Sequence, residues 1–375
     1  MGTADGAIVS TTKIVDHGPN ASRWNLVILS EGYKAAELNR FHLDAEAFVN
    51  KLFATQPFTQ MWCALNVHRV DVSSIESGAD HPATCADGIA GTGASAKTYF
   101  DASFCKDGTT RLLYGDEDLA IKTAKDAVPQ VSATIVIVND PQYGGAGGRA
   151  AWFSTDPRAS EIGIHELGHS AFALADEYGE NVNTYTGSEP PEPNVTADTN
   201  RATTKWASRI AASTAVPTLT NPNCAVVSTA PSPVPAGTIG LFAGGKRANC
   251  GIYHSEYECA MRILGRPFCV VCREAIKRKL SPHLPEFSGP LTGTQFRGTL
   301  AARGTTRYFT YNWPVCWHVI WTVVPTTPVS NGPGLQWRVK VERSSRERLT
   351  YWLEITNLTD SSLDLEGRYE IVARV

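Results

Sequence analysis

The chain has 375 residues, of which 42% are apolar and 19% charged, with 34 basic against 37 acidic side chains. That apolar share excludes a wholly disordered chain, and the balanced charge offers no electrostatic footprint for nucleic acid. No apolar stretch approaches the ~20 residues that a membrane-spanning helix needs, and the length suits two domains.

Residues 25–30 are a nearly continuous apolar run and read as a buried strand. They lead into a helix over about 36–53, whose Leu38, Phe41, Ala45, Phe48, Val49 and Leu52 share one stripe. Residues 64–72 alternate apolar and polar side chains, and 134–139 are again continuously apolar. Strand, helix, strand and strand in this order predict a mixed α/β sheet. The glycine-rich segment 140–148 lacks the Gly-Lys-Ser/Thr ending of a phosphate loop and returns into the apolar 149–154. It therefore reads as a long hairpin at a sheet edge. Residues 182–245 are rich in Pro, Thr, Asn, Ser and Ala, which predicts a long irregular insertion with a short helix near 206–212. From about Pro285 the period becomes two, with strand candidates at 306–313, 317–324, 335–343, 349–356 and 368–375. This change of pattern predicts one domain over 1–284 and an immunoglobulin-like β-sandwich over 285–375.

The segment GIHELGHSAFALADEY, residues 163–178, carries the chemistry. His165 and His169 are four apart, so on a helix both imidazoles leave one face and can hold one tetrahedral ion. Glu166 follows the first histidine, where a carboxylate can reach a metal-activated water without ligating the ion, the position of a general base. A third ligand is needed. In metzincin zinc proteases it lies ten residues after the first histidine, beyond a glycine; here those positions are Ala175 and Phe172. Asp176 and Glu177 follow. A straight helix would carry Asp176 about 16 Å from His165 along the axis, so the chain must bend after His169. Asp176 is the favoured third ligand and Glu177 the alternative; His254 and His68 are weaker candidates. Met261, one of three methionines, lies 92 positions after His169 and fits the methionine that metzincins carry in a turn beneath the zinc.

These stretches resemble the M64 peptidase family, the IgA-peptidase-type metalloproteases. The resemblance rests on ILSEGY at 28–33, NVHRV at 66–70, SSIESGADHP at 73–82, NDPQYGG at 139–145, HELGHSAFALADEY at 165–178 and CAMRILGRPFCVVC at 259–272. It covers about residues 20–280 and leaves the C-terminal region outside. Glu31 departs from the aspartate expected there. The resemblance implies a metzincin-like zinc endopeptidase, with the strand before the glycine loop framing the cleft.

Nine cysteines, scattered apart from Cys269-x-x-Cys272, suggest disulfides in an exported protein. Cys269 and Cys272 read as members of a structural disulfide, with Cys250 or Cys259 as partner, ahead of a redox pair or half a metal site. Residues 1–5 have no basic or apolar run, so no signal peptide is read there and secretion requires its prior removal. Asn20, Asn194 and Asn357 open glycosylation triplets. The leading expectation is a secreted zinc endopeptidase acting on protein or peptide, with Zn2+ as cofactor, no nucleic-acid partner and no membrane span. Tyr253 and Tyr257 are candidate oxyanion donors, and the C-terminal domain is a candidate binder of substrate or a cell-surface ligand. The alternatives are a zinc amidase on a non-protein substrate and an inactive protease-like binding protein. The intact His165, Glu166 and His169 weigh against the second.

Overall fold

The computed structural model describes residues 3–286, 291–328 and 332–374. The chain divides into two compact units, one of residues 1–14 and 23–282, the other of 15–22 and 283–375. The first is built on a sheet of β1 (Gly6–Val15), β2 (Trp24–Glu31), β3 (Leu65–Ser74), β4 (Val131–Val138), β5 (Gly145–Gly147) and β6 (Ala151–Ser154), in the order β1-β3-β2-β4-β6-β5. Strands β3, β2, β4 and β6 run parallel, so 134–139 and 149–154 are not the two arms of the expected hairpin; instead β5, inside the expected loop, returns antiparallel on β6 at the edge. Its helices are α1 (Leu38–Ala54), α2 (Phe58–Met61), α3 (Glu117–Ala127), α4 (Ala159–Phe172) and α5 (Val270–Leu280).

Strand β2 is buried at every position and β4 from Ala133 onward. A central parallel strand covered on both faces has no solvent side, which is why both read as continuous apolar runs. On one face Val27, Leu29, Val136, Val138 and Trp152 meet Ala120 and Ala124 of α3. On the other, α1 sets Phe48 against Phe153, ring centroids 5.3 Å apart, and α4 brings Gly163 against the same ring. Phe172 at the end of α4 stacks on Trp24 at 5.6 Å and meets Phe58 of α2. The buried stripe of α1 is the predicted one. Helix α3 escaped the sequence reading because it buries only Ala120, Thr123 and Ala124. Its one clear signal was Asp116, whose carboxylate accepts the Leu119 N–H as an N-cap.

Residues 182–245 are largely irregular. They hold the end of β7 (Gly179–Thr184), β8 (Val195–Thr196), a single 3-10 turn at Ala207–Arg209 in place of the expected helix, and β9 (Phe242–Gly245). With β10 (Arg247–His254) these strands form a small second sheet. No helix among the described residues is long and apolar enough to cross a membrane.

The second unit contains β11 (Leu291–Leu300), β12 (Thr305–Pro314), β13 (Trp317–Pro325), β14 (Leu335–Arg343), β15 (Arg348–Asn357) and β16 (Leu363–Arg374). They pair antiparallel as β11-β16-β13 and β12-β15-β14. Trp313, Trp321, Leu353, Ile355, Leu365 and Ile371 from the two sheets share one core, giving a β-sandwich. Strand β11 was missed because only Leu300 in it is buried. Val375, the end of the last predicted strand, lies outside the described residues.

Glu31 closes β2 and is fully buried. Its carboxylate accepts the Thr98 hydroxyl at 2.5 Å, the Phe100 N–H at 2.9 Å and the Ala102 N–H at 3.0 Å, pinning the 98–102 segment to the strand end. Burial pushes this carboxyl up to about 7, against the pull of those donors. Glu31→Gln replaces one acceptor oxygen by an N–H2 facing N–H donors, and is expected to cost about 1–3 kcal/mol in denaturant unfolding. Because the folded pKa lies above the ordinary 4.5, the contribution of Glu31 is complete below pH 4.5 and declines as pH rises through about 7. The variant's deficit should therefore be largest in acid; equal stability of the two proteins across this range would contradict the assignment.

Candidate metal centre

Helix α4 is buried along Ile162, Gly163, Ile164, Leu167 and Phe172, and its histidine face opens on a cleft. The Nδ1–H of His165 donates to Ala260 O at 2.9 Å, and that of His169 to Leu174 O at 2.7 Å. With Nδ1 so engaged, each ring presents its Nε2 to the cleft. The two Nε2 atoms are 3.2 Å apart, and Asp176 Oδ1 stands 3.1 Å from the first and 3.2 Å from the second. Metal–nitrogen bonds of about 2.0–2.1 Å give a tetrahedral edge of about 3.3 Å, so these three atoms have the spacing to hold one zinc-sized ion. Burial raises the Asp176 carboxyl, but the two histidines outweigh it and hold it well below the usual range. His169 is in turn pushed up to about 9 against its burial, chiefly by Asp176. The carboxylate gives the cluster a demand for positive charge.

Asp176 reaches this place because the helix stops. Ala173 takes the left-handed conformation, φ 52° and ψ 39°, and donates its N–H to Gly168 O. The reversed chain is then clamped by buried Asn194, whose Oδ1 accepts the Ala175 N–H and whose Nδ2 donates to Ala175 O and Glu177 Oε1. The Glu177 N–H donates to Met261 O at 2.8 Å. Met261 is fully buried against the helix, its Sδ 2.6 Å from where a Cβ on Gly168 would sit. Glu177 points away from the histidines: its Oε1 lies 3.3 Å from Cys272 Sγ and 3.7 Å from Cys269 Sγ.

Glu166 is buried beside the histidines and lines the same cleft; burial raises its carboxyl above the usual range. Strand β5 passes close by. A Cβ on Gly147 would come within 2.7 Å of His169 Cβ and 3.0 Å of Glu166 Oε2, so only glycine fits there. Arg111 and Tyr178, neither singled out from the sequence, also line the cleft and hydrogen-bond to each other. Arg111 further donates to Glu180 at 3.1 Å. No spacing from the histidine motif selects Arg111; Tyr178 ends the recognised ADEY run and could have been weighed. Tyr253 and Tyr257 do not line this cleft, and the Tyr257 hydroxyl is engaged with Ala230 O at 2.7 Å. His254 is buried with Nδ1–H donating to Gly244 O at 2.8 Å, and neither it nor His68 joins the metal-capable groups among the described residues.

The expected disulfide at Cys269 and Cys272 does not form. Cys250 pairs with Cys224 and Cys85 with Cys105, while Cys259, Cys269 and Cys272 stay as buried thiols. Their sulfurs sit at contact distance, with Cys259 and Cys272 3.7 Å apart.

A family model described as IgA Peptidase M64 matches residues 12–226, more than half of the chain. The matched residues include α4 and the turn after it, and end before Met261 and the CxxC segment. No curated protein matches the chain.

The close approach of β5 to α4 yields a direct test. Gly147→Ala must spread the strand from the helix by a few tenths of an ångström or more, displacing His169 and Glu166. A displacement of about 1 Å costs about 10²-fold in turnover, so hydrolysis by the folded variant should drop at least tenfold. Unaltered turnover would show that β5 is not held against the site.

Proposed function

The chain belongs to the M64 peptidase family, and from that premise we propose a secreted, metzincin-like zinc endopeptidase in which His165, His169 and Asp176 hold the ion and Glu166 is the general base. The observation that carries this reading is the convergence of two Nε2 atoms and one carboxylate oxygen at 3.1–3.2 Å, with the buried Glu166 beside them. Zinc bound there supplies a Lewis acid that polarises a scissile carbonyl and makes a water nucleophilic at neutral pH.

The rest falls to the chain's own groups. Ala260 O and Leu174 O hold the imidazoles in the ligating tautomer. Glu166 accepts a proton from the attacking water and returns it to the leaving amine nitrogen. The oxyanion-donor role is assigned to Arg111 and Tyr178, which lie on the cleft wall, in place of Tyr253 and Tyr257, which do not. Strand β5 is the edge strand of the sheet; its Gly145 N–H is taken by Arg111 O, and its Ala146–Gly147 end lies against the site. An extended peptide can add to that edge by main-chain hydrogen bonds, which suits an endopeptidase. Relative to the metzincin pattern, both the turn and the third donor come one residue later, at Ala173 and Asp176. The two disulfides favour an oxidising compartment, hence secretion.

Glu166→Gln keeps the side chain's shape and removes the base. It is expected to retain metal and to lose hydrolysis by ~10²–10⁴-fold; near-normal turnover would refute the role. Asp176→Ala is expected to weaken metal binding at the histidine site by more than the ~10–100-fold that loss of an outer partner costs. Glu177→Gln should leave the ion on the histidines. Anomalous density beside His165 and His169 in zinc-loaded crystals of the two variants reads this site alone, and its loss in Glu177→Gln but not in Asp176→Ala would move the ligand to Glu177.

A further inference from the structure

A second group of donors lies on the other side of the same turn. Cys259 follows β10, Cys269 caps the N-terminus of α5 and Cys272 lies in the first turn of that helix. With Glu177 they place four donor atoms within 4.8 Å of one another. Cys259 Sγ and Cys272 Sγ are 3.7 Å apart, and Glu177 Oε1 is 3.3 Å from Cys272 Sγ and 3.7 Å from Cys269 Sγ. A disulfide would need about 2.05 Å. Zinc–sulfur bonds of about 2.3 Å span a tetrahedral sulfur–sulfur edge of about 3.8 Å, and a mixed sulfur–oxygen edge of about 3.5 Å.

The surroundings point the same way. Glu177, Cys259 and Cys272 are 0% exposed and Cys269 1%. Glu177 Oε2, fully buried, has no hydrogen-bond partner, a costly state for a carboxylate unless a cation answers it. The sulfurs instead receive hydrogen-bond donors. Cys259 Sγ accepts the N–H of Cys269 at 3.2 Å and of Met261 at 3.5 Å, while Cys269 Sγ accepts the Cys272 N–H at 3.4 Å and the Ser255 hydroxyl at 3.3 Å. Such bonds hold the Cys259 and Cys269 sulfurs in place, as the partners around a metal ligand do.

We propose that Cys259, Cys269, Cys272 and Glu177 form a second, structural zinc site. Three sulfur donors select a soft, tetrahedral ion over magnesium or calcium. Four protein donors and full burial leave no open position for substrate, which separates this site from the cleft. The ion would tie α5 and the Cys259–Ala260–Met261 segment to the turn after α4. That segment holds His165 through Ala260 O and Glu177 through Met261 O. The second ion would thereby fix the residue next to Asp176.

Cobalt(II) loading of the full-length chain tests this independently of the peptidase reading. Cobalt replaces zinc in tetrahedral sites, and only sulfur ligation gives intense sulfur-to-cobalt charge-transfer absorption in the near ultraviolet. His165, His169 and Asp176 offer no sulfur. The charge-transfer band is expected to saturate at one cobalt per chain, to persist in His165→Ala/His169→Ala, and to vanish in Cys272→Ser. Glu177→Gln, close in shape, should keep the band but weaken cobalt binding at least tenfold, which covers the case in which Cys272→Ser fails to fold. No band in the loaded wild-type protein, unchanged affinity in Glu177→Gln, or a disulfide-linked peptide joining two of the three cysteines would overturn the proposal.

Discussion

The site depends on one backbone event, the left-handed turn at Ala173 that ends α4 four residues after His169. A continued helix would carry the following carboxylates away at 1.5 Å per residue. The reversal instead returns Asp176 Oδ1 to within 3.2 Å of both histidines and sends Glu177 to the opposite side. Adjacent residues in an extended segment face opposite ways, so one turn supplies two clusters with a carboxylate each. A non-glycine residue in this conformation costs of order 1 kcal/mol. The Asn194 clamp, Met261 O and the burial of Phe172 and Leu174 hold it there.

The sheet places that turn where it can act. Strand β6, parallel to β4, feeds α4 directly, and Phe153 seats Gly163 and Phe48 on one face. The hairpin return of β5 then brings Gly147 onto the histidine face. The cleft is therefore bounded by a helix and the edge strand of the sheet, each fixed by the same buried core.

What the sequence made legible follows from the range of each interaction. The runs of β2 and β4 and the stripe of α1 are local signals of burial, and they stood out. The pair His165 and His169 is likewise one turn of a single helix. Helix α3 and strand β11 bury too few side chains to imprint a period. Arg111 and Gly147 acquire their places only when distant strands assemble. The cysteines were misread for the same reason. Cys269-x-x-Cys272 looks like half a pattern because its other donors, Cys259 and Glu177, come from a preceding turn and from the far end of the histidine segment. The long separation of Glu177 from the cysteines hid a group that the fold gathers within 4.8 Å.

The central claim is that neighbouring carboxylates divide between two metal clusters. It is tested most directly by a crystal structure of the zinc-loaded protein with anomalous scattering recorded at the zinc edge. The account predicts two peaks per chain, one between His165 Nε2, His169 Nε2 and Asp176 Oδ1, the other among the sulfurs of Cys259, Cys269 and Cys272 with Glu177 as fourth ligand. A single peak, with Glu177 beside the two histidines and Asp176 turned away, would contradict it.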